Sequence, residues 1–400
     1  MKNILILHPY RENYTDILSC LPTNHHFTLL IDESKRESFR VKLPKNVKLA
    51  GVAGDQNTRR EKAEKLLKSE SFDAIIPLDE FDILLAAELR EKFHIGGQKV
   101  DEAIIFRDKN VMTKRVKELG VRIPESQKID CFSELQYFFD RHQDIILKPL
   151  SGAGSVDTFR VQTINDLVKL KESLFNQGEQ ILVQEYIESD IYHIDGFVSN
   201  GEIIYCEPSK YLYNPLLIKQ GGSAAAVSLD KDSTGYKELV DYAIFLSSKL
   251  DLQGTYLFHL EVFYDLKDII FLEIACRIGG ARIRQNLEYK FGCNPLKLLI
   301  YSISGEILPE LPKEFPNTGW LLTAKRAGTI KELPTITNEI KQQFSIFDYI
   351  EYVKVGQNLN SAFHSADAVI GLSLYGKDFK KTEQALLSIE KWLLQHTRYN

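Results

Sequence analysis

Glu261 and Glu273 make the strongest claim to chemistry in this chain. They lie in FHLEVFYDLKDIIFLEIACRIGG, residues 258–280. Each sits in an apolar run that reads as a strand, Leu257–Tyr264 and Ile269–Ala275, with Asp265, Leu266, Lys267 and Asp268 as the turn between them. A carboxylate in an apolar strand is expensive unless something positive meets it. The two acids share sequence parity. They face each other on one side of a hairpin if the connection has an odd effective length or the ladder carries a bulge. A regular four-residue loop would put them on opposite faces. Side by side they repel unless a cation sits between them, and oxygen ligands of this kind suit Mg²⁺ or Mn²⁺ with substrate phosphates completing the shell. The other reading is a pair of edge-strand acids facing water.

Positive charge and small residues appear upstream. In RDKNVMTKRVKELGVRIP, Asp108 suits a helix N-cap, Met112, Val116 and Leu119 form an apolar stripe, and Gly120 ends the helix with Pro124 just beyond. Lys109 lies in the first turn, where a cation opposes the helix dipole; a bound phosphate would justify it, and a solvated lysine is the plainer reading. In DIILKPLSGAGSVDTFRV the strand Asp144–Pro149 leads into a small-residue loop and a second strand, Val156–Val161. This is not a Walker loop, which needs GK[ST] opening a helix. Gly152, Ala153 and Gly154 keep side chains away, so the backbone N–H groups, with the Ser151 and Ser155 hydroxyls, can face an anion. Lys148, in an apolar strand just before this loop, needs a counter-charge, and the combination favours phosphate contact. His193 and Asp195 share strand parity and project to one face, toward a ligand or toward solvent. His8, Tyr10 and Arg11 follow the first strand and read more simply as loop residues.

The elements that must position these groups alternate in type. NILILH, FTLLI and FDAIIPL are short apolar strands and Glu80–Phe93 has helical periodicity, which favours a parallel α/β sheet over residues 1 to about 100. No GxGxxG follows the first strand. Ile181–Ile187 reads as a strand. Ile191–Ser199 and Glu202–Glu207 flank Asn200-Gly201, a two-residue hairpin signal. GGSAAA, residues 221–226, reads as a second small-residue loop, and Gly235–Leu250 as a helix. The tail from about 305 is α/β again, with strands in TGWLLTAKRAGTI, DYIEYVKVG and AVIGLSLYG and a helix Phe379–Gln395 whose Ala385, Leu386, Ile389, Trp392 and Leu393 form a core face.

The 400 residues are 44% hydrophobic and 26% charged with net charge −5, an ordinary soluble composition that gives no electrostatic reason to expect nucleic acid or an anionic membrane. No apolar run approaches a membrane span, and MKNILILHPY is too short for a signal-peptide core. Five scattered cysteines without CxxC indicate neither a disulfide framework nor zinc and fit a reducing cytoplasm.

In order, these pieces resemble the ATP-grasp superfamily over essentially the whole chain: Lys109 in FRDKNVMTK, KPLSGAGS, VQEYI, then HLEVFY and LEIACRIGG. The resemblance implies an N-terminal Rossmann-like parallel-sheet domain (1–104), a lid (105–185), an antiparallel-sheet subdomain with the metal site (186–305), and a C-terminal α/β region packed on it (306–400). It implies that Lys109 and Lys148 hold the ATP α- and β-phosphates under the loop 151–155. Glu185 would accept from the adenine amino group, with Tyr186 and Ile187 meeting the base through their backbone. Glu261 and Glu273 would bind Mg²⁺, and Arg277 would steady the transferred phosphoryl group. Two features depart from the common pattern. Ala275 stands where many members have a metal-binding Asn, which resembles the EVAAR or EIAAR branch of amino-acid and dipeptide ligases. The ribose acid falls near Ile191, with Asp190 the nearest substitute. The implied activity is an ATP-dependent carboxylate–amine ligase acting through an acyl phosphate, with amino-acid or small-peptide substrates. A carrier-protein thiol as acceptor, a nucleotide-biosynthesis enzyme using a small carboxylate, and a nucleotide-binding regulator without turnover remain open. Arg282 and Arg284, after the second glutamate strand, are candidates to meet a substrate carboxylate, with a surface position the simpler reading for at least one of them.

Overall fold

The computed structural model describes residues 1–400 except 9–13, 40–42, 153, 176–179, 251–253 and 365, and the side chains of 171–175 also fall outside the description. Strands β1 (Asn3–Leu7), β2 (His26–Asp32), β3 (Val47–Val52) and β4 (Ala74–Pro77) form a parallel sheet in the order β3-β2-β1-β4. Their near-continuous aliphatic runs are what a parallel sheet covered on both faces requires. The chain leaves β4 through a short 3-10 turn, Glu80–Asp82, into the helix Ile83–Lys92.

The helix Lys109–Glu118 begins where expected. The Asp108 carboxylate accepts from the backbone N–H of Asn110 and Val111 at 2.8 and 3.0 Å. Then β5 (Ser126–Ile129), β6 (Ile145–Pro149), β7 (Phe159–Val161) and β8 (Ile181–Glu185) form a small antiparallel sheet, ordered β5-β8-β6-β7. It has its own core of Ile129, Leu135, Phe138, Leu147, Val161 and Val183. The expected strand Val156–Val161 is only three residues long, because the preceding residues belong to the loop: Ser155 and Asp157 both have positive φ, which no strand tolerates.

The largest sheet has eight antiparallel strands: β9 (Ile191–Ser199), β10 (Glu202–Tyr211), β11 (Ala224–Ser228), β12 (Tyr256–Tyr264), β13 (Ile269–Ala275), β14 (Asn317–Ala324), and two strands from the tail. In the tail, β15 (Gly328–Glu332), β17 (Asn358–Leu359) and β19 (Arg398–Tyr399) form a separate small sheet, while β16 (Ile346–Glu351) and β18 (Ala368–Gly376) complete the order β13-β12-β9-β10-β11-β14-β18-β16. Asn200 and Gly201, at φ 51° and 84°, make the tight β9–β10 turn. The GGSAAA segment is not a loop throughout. Ala224–Ser228 is a fully buried strand between β10 and β14.

One face of this sheet packs on the helices Lys109–Glu118 and Thr234–Leu250 through Tyr192, Ile194, Leu260 and Val262, with Met112, Val116, Leu239 and Leu246 opposite. The other face shares a core with the parallel sheet, in which Ile4, Ile6 and Phe27 join Phe197, Leu257, Leu298 and Trp320. β9 is therefore buried on both faces, and its odd-numbered residues look toward the parallel sheet and the cleft.

Candidate functional site

The hairpin β12–β13 decides the site. Glu261 and Glu273 are directly opposite each other, with the register shifted immediately beyond them: Val262 pairs with Phe271, so Leu272 is the extra residue of a β-bulge. The bulge resolves the loop-parity conflict and brings both carboxylates to one face. That face forms a wall of a cleft of about 780 Å³, whose lining includes Lys109, Lys148, Gly152, Gly154, Ser155, Glu185, Tyr186 and Ile187 as well as both glutamates.

Positive and negative groups interlock here. The Lys109 ammonium donates to the Gly152 carbonyl at 2.6 Å and lies 3.7 Å from a Glu273 oxygen. It is thereby tied to both the glycine loop and the hairpin. Lys148 is buried at 6% exposure; burial pushes its ammonium down to about 8, helped by Lys109 and opposed by Glu273 and Glu261. The Glu261 carboxylate is held well below the usual range. Burial works the other way, but the His259 hydrogen bond and charge and the Tyr211 hydroxyl outweigh it. Tyr211 donates to Glu261 Oε1 at 2.8 Å and His259 Nε2 lies 3.3 Å from the same oxygen, so Oε2 receives neither bond.

Behind Glu261 runs a buried relay. His259 Nδ1 contacts Asp195 Oδ1 at 2.9 Å, and the other Asp195 oxygen contacts His193 Nδ1 at 2.6 Å. The Asp195 charge, against the opposing effect of burial, raises His259 to about 10. Gly279 passes directly over this relay: a Cβ there would lie 2.6 Å from Asp195 Oδ1 and 2.7 Å from His259 Nδ1. Shared strand parity was the one sequence signal for His193 and Asp195, and they face the interior. His259 and Tyr211 carried no signal beyond His259 lying two residues before the acid.

The remaining expected residues divide. Glu185 lines the cleft, but its Oε1 already accepts from the Glu125 N–H at 2.8 Å. The Tyr186 N–H donates to Asp144 at 3.1 Å, leaving the carbonyl as the Tyr186 backbone group open to a base, and the Arg160 guanidinium lies 3.5 Å over the Tyr186 ring. Gln184 Nε2 is buried on this wall without a partner, a donor that suits a bound polar molecule. Ala153 lies outside the described residues.

Ser151, Asp190 and Arg277 are not on the cleft wall. The Ser151 carbonyl turns to Arg107 at 3.1 Å. Asp190 pairs with Lys210 at 2.6 Å beside a neighbouring groove that shares Tyr186, Ile191 and Asn214 with the cleft. Arg277 sits beyond the end of β13, where the chain turns to the parallel sheet; its Nε donates to Glu80 at 2.6 Å and its Nη1 to the Ile278 carbonyl at 2.9 Å. Arg107 holds the other Glu80 oxygen, so one buried carboxylate clamps both arginines. Arg282 and Arg284 are both engaged by carboxylates of the chain, Asp348 and Asp16. Arg282 is buried, not on the surface.

The donor set fits a nucleotide with a divalent ion: two facing carboxylates, one with an uncommitted oxygen, beside two lysines and a glycine loop. Among the described residues no helix is long and apolar enough to cross a membrane.

The chain is similar to several known proteins. A family model described as the prokaryotic glutathione synthetase ATP-grasp domain matches residues 116–205. An L-arginine-specific L-amino acid ligase of Bacillus subtilis is 26% identical over 287 residues, 68% of each chain. Among solved structures, an L-amino acid ligase from Bacillus licheniformis superposes with a TM-score of 0.76 at 15% identity, covering 100% of this chain and 99% of that one. The biotin carboxylase domain of a Hydrogenobacter thermophilus 2-oxoglutarate carboxylase, in complex with ADP, its magnesium salt and bicarbonate, gives 0.70 at 15% identity, covering 100% and 90%.

Proposed function

We propose that this chain, an ATP-grasp protein by fold, is an ATP-dependent ligase that joins the carboxylate of an amino acid or small peptide to an amine and releases ADP and phosphate. The observation that carries the reading is the pairing of Glu261 with Glu273 in the same cleft as Lys109 and Lys148. The fold and the amino-acid ligase relative support the reaction class.

The chain's own groups account for the chemistry in order. The glycine loop and the two lysines hold the phosphates, and Gly152 and Gly154 let backbone N–H groups approach them. Glu261 and Glu273 would hold Mg²⁺, whose charge offsets that of the phosphate oxygens. The substrate carboxylate attacks the γ-phosphorus, the β–γ bridging oxygen leaves with ADP, and an acyl phosphate forms. The amine then adds to the acyl carbon, loses a proton, and phosphate departs. Fixed positive charge and excluded water favour both steps. Arg277 would assist only after releasing part of its hold on Glu80, so we assign it to a closed, substrate-bound arrangement.

The test is product identity. With ATP, Mg²⁺ and pairs drawn from the amino acids, ADP should form only when a carboxylate and an amine are both present. AMP and pyrophosphate, or no product with any pair, would defeat the reading. Arg277→Ala should lower kcat by roughly 10²–10³ with a smaller effect on ATP binding.

A further inference from the structure

A second cavity, of about 460 Å³, opens along β4, the outer strand of the parallel sheet. β4 forms one wall, and the start of β12 with the helix Pro295–Ser304 forms another. Much of the lining is aliphatic, with Ile76, Leu257, Leu299 and Ile303 among it. Among the described residues it shares no lining residue with the cleft at Glu261 and Glu273.

Arg90 is the anomaly in this wall. It lies in the last turn of the helix Ile83–Lys92 and is only 6% exposed. Its Nη1 donates to the Gln98 carbonyl at 3.2 Å and its Nη2 to the Ile75 carbonyl, while Nε has no partner. A guanidinium has five N–H donors, and carbonyls supply no full counter-charge. The other buried arginines each hold a carboxylate of the chain: Arg59 has Asp82, Arg107 has Glu80 and Arg282 has Asp348. Among the described residues no carboxylate pairs with Arg90; Glu102 acts on it, but its carboxylate accepts from the Lys99 N–H. Burial accordingly pushes the guanidinium down to about 10. The rest of the wall adds positive charge. Lys2 Nζ donates to the Ile303 carbonyl at 2.7 Å and has no carboxylate partner among the described residues. Arg277 is held by Glu80, and Asp73, the acid on this wall, accepts from the Asn3 N–H at 2.7 Å. A buried charge is tolerated when an opposite charge meets it, so Arg90 and Lys2 call for an anion.

We propose that this cavity binds a small organic carboxylate, its anionic group on Arg90 and Lys2 and its apolar body against β4, β12 and the helix Pro295–Ser304. With no wall in common with the other cleft, the occupant is not placed to react there. It is an effector that bridges the parallel sheet and the large sheet and steadies the joint between them. Hexanoate is a suitable probe, and hexylamine, with the same body and the opposite charge, is its control. Titration calorimetry should show binding of hexanoate and none of hexylamine. Arg90→Met should weaken hexanoate roughly tenfold to a hundredfold, the worth of a charged hydrogen bond, and Lys2→Met should weaken it less. Lys148→Met, which alters the other cleft, should leave it unchanged. Hexanoate should raise the thermal midpoint of the unaltered protein and not that of Arg90→Met. If Arg90 merely ties Ile75 to Gln98, its replacement lowers the midpoint but leaves hexanoate affinity intact, which would overturn the proposal. Equal binding of both probes, no binding of hexanoate, or loss of binding in Lys148→Met would do the same. Should Arg90→Met not fold, Lys2→Met and the probe pair decide: unchanged affinity in Lys2→Met defeats the site.

Discussion

Lys148 and Asp195 show how individual side chains are set for one job each. Lys148 faces Glu273, Glu261 and Lys109, and burial brings its ammonium down to about 8. An anionic phosphate binds the protonated form, so nucleotide binding takes up a proton above that pH. ADP affinity measured by calorimetry should be flat below pH 8 and then fall by about tenfold per pH unit. A flat profile to pH 9.5 would exclude Lys148 as a phosphate ligand, and Lys148→Met should remove the step. Asp195 touches no cleft wall but orients His259, which in turn holds Glu261. Asp195→Asn should weaken Mg²⁺ affinity by about 10–100-fold, read from the metal dependence of nucleotide binding, with excess Mg²⁺ restoring it. If the role were only structural, excess metal would restore nothing. These single residues were partly legible in the sequence. Lysines and acids in apolar runs advertise a missing partner. His259 and Tyr211 did not, because a histidine or tyrosine in a strand is ordinary core until its neighbours are known.

At the scale of elements, the β12–β13 hairpin shows both what local pattern encodes and what it leaves out. Parity and the four-residue turn were readable, and they conflicted; the bulge at Leu272 that reconciles them depends on pairing energetics across two strands. The Asp108 cap, the Asn200-Gly201 turn and the apolar stripe of Phe379–His396 were readable because each is a short-range device. Ala224–Ser228 was not, since three alanines carry no strand signal and the strand is placed by its pairing with β10 and β14. The loop after β13 is fixed just as closely. Gly279 has no room for a side chain against Asp195, His259 and Ile283. Gly279→Ala should cost about 1–3 kcal/mol in denaturant unfolding and should also lower Mg²⁺ affinity, since the same atoms position Glu261. A stable variant with normal metal binding would show that the loop can shift without disturbing the relay.

Across the whole molecule, the small antiparallel sheet and the large sheet line the cleft, and the joint between the parallel sheet and the rest is electrostatic as well as apolar. Glu80, just past β4, holds Arg107 ahead of the lysine helix and Arg277 beyond β13. Burial alone would raise its carboxyl, but the charges of Arg277 and Arg107 and their hydrogen bonds hold it below its ordinary value. A carboxyl depressed in the folded state adds stability that is present above its unfolded value, about 4.3, and is lost as pH falls through the lower folded value. Unfolding monitored between pH 6 and 3 should therefore show a loss of stability on acidification that is smaller in Glu80→Gln. At pH 7 that variant leaves two arginines without their carboxylate and should lose about 3–5 kcal/mol. The same substitution frees Arg277 from the parallel sheet, so the Arg277 contribution to turnover, measured as the ratio of kcat with and without Arg277→Ala in each background, should change as well. If that ratio is identical in both backgrounds, the clamp is a fastening of the fold and does not govern where Arg277 acts.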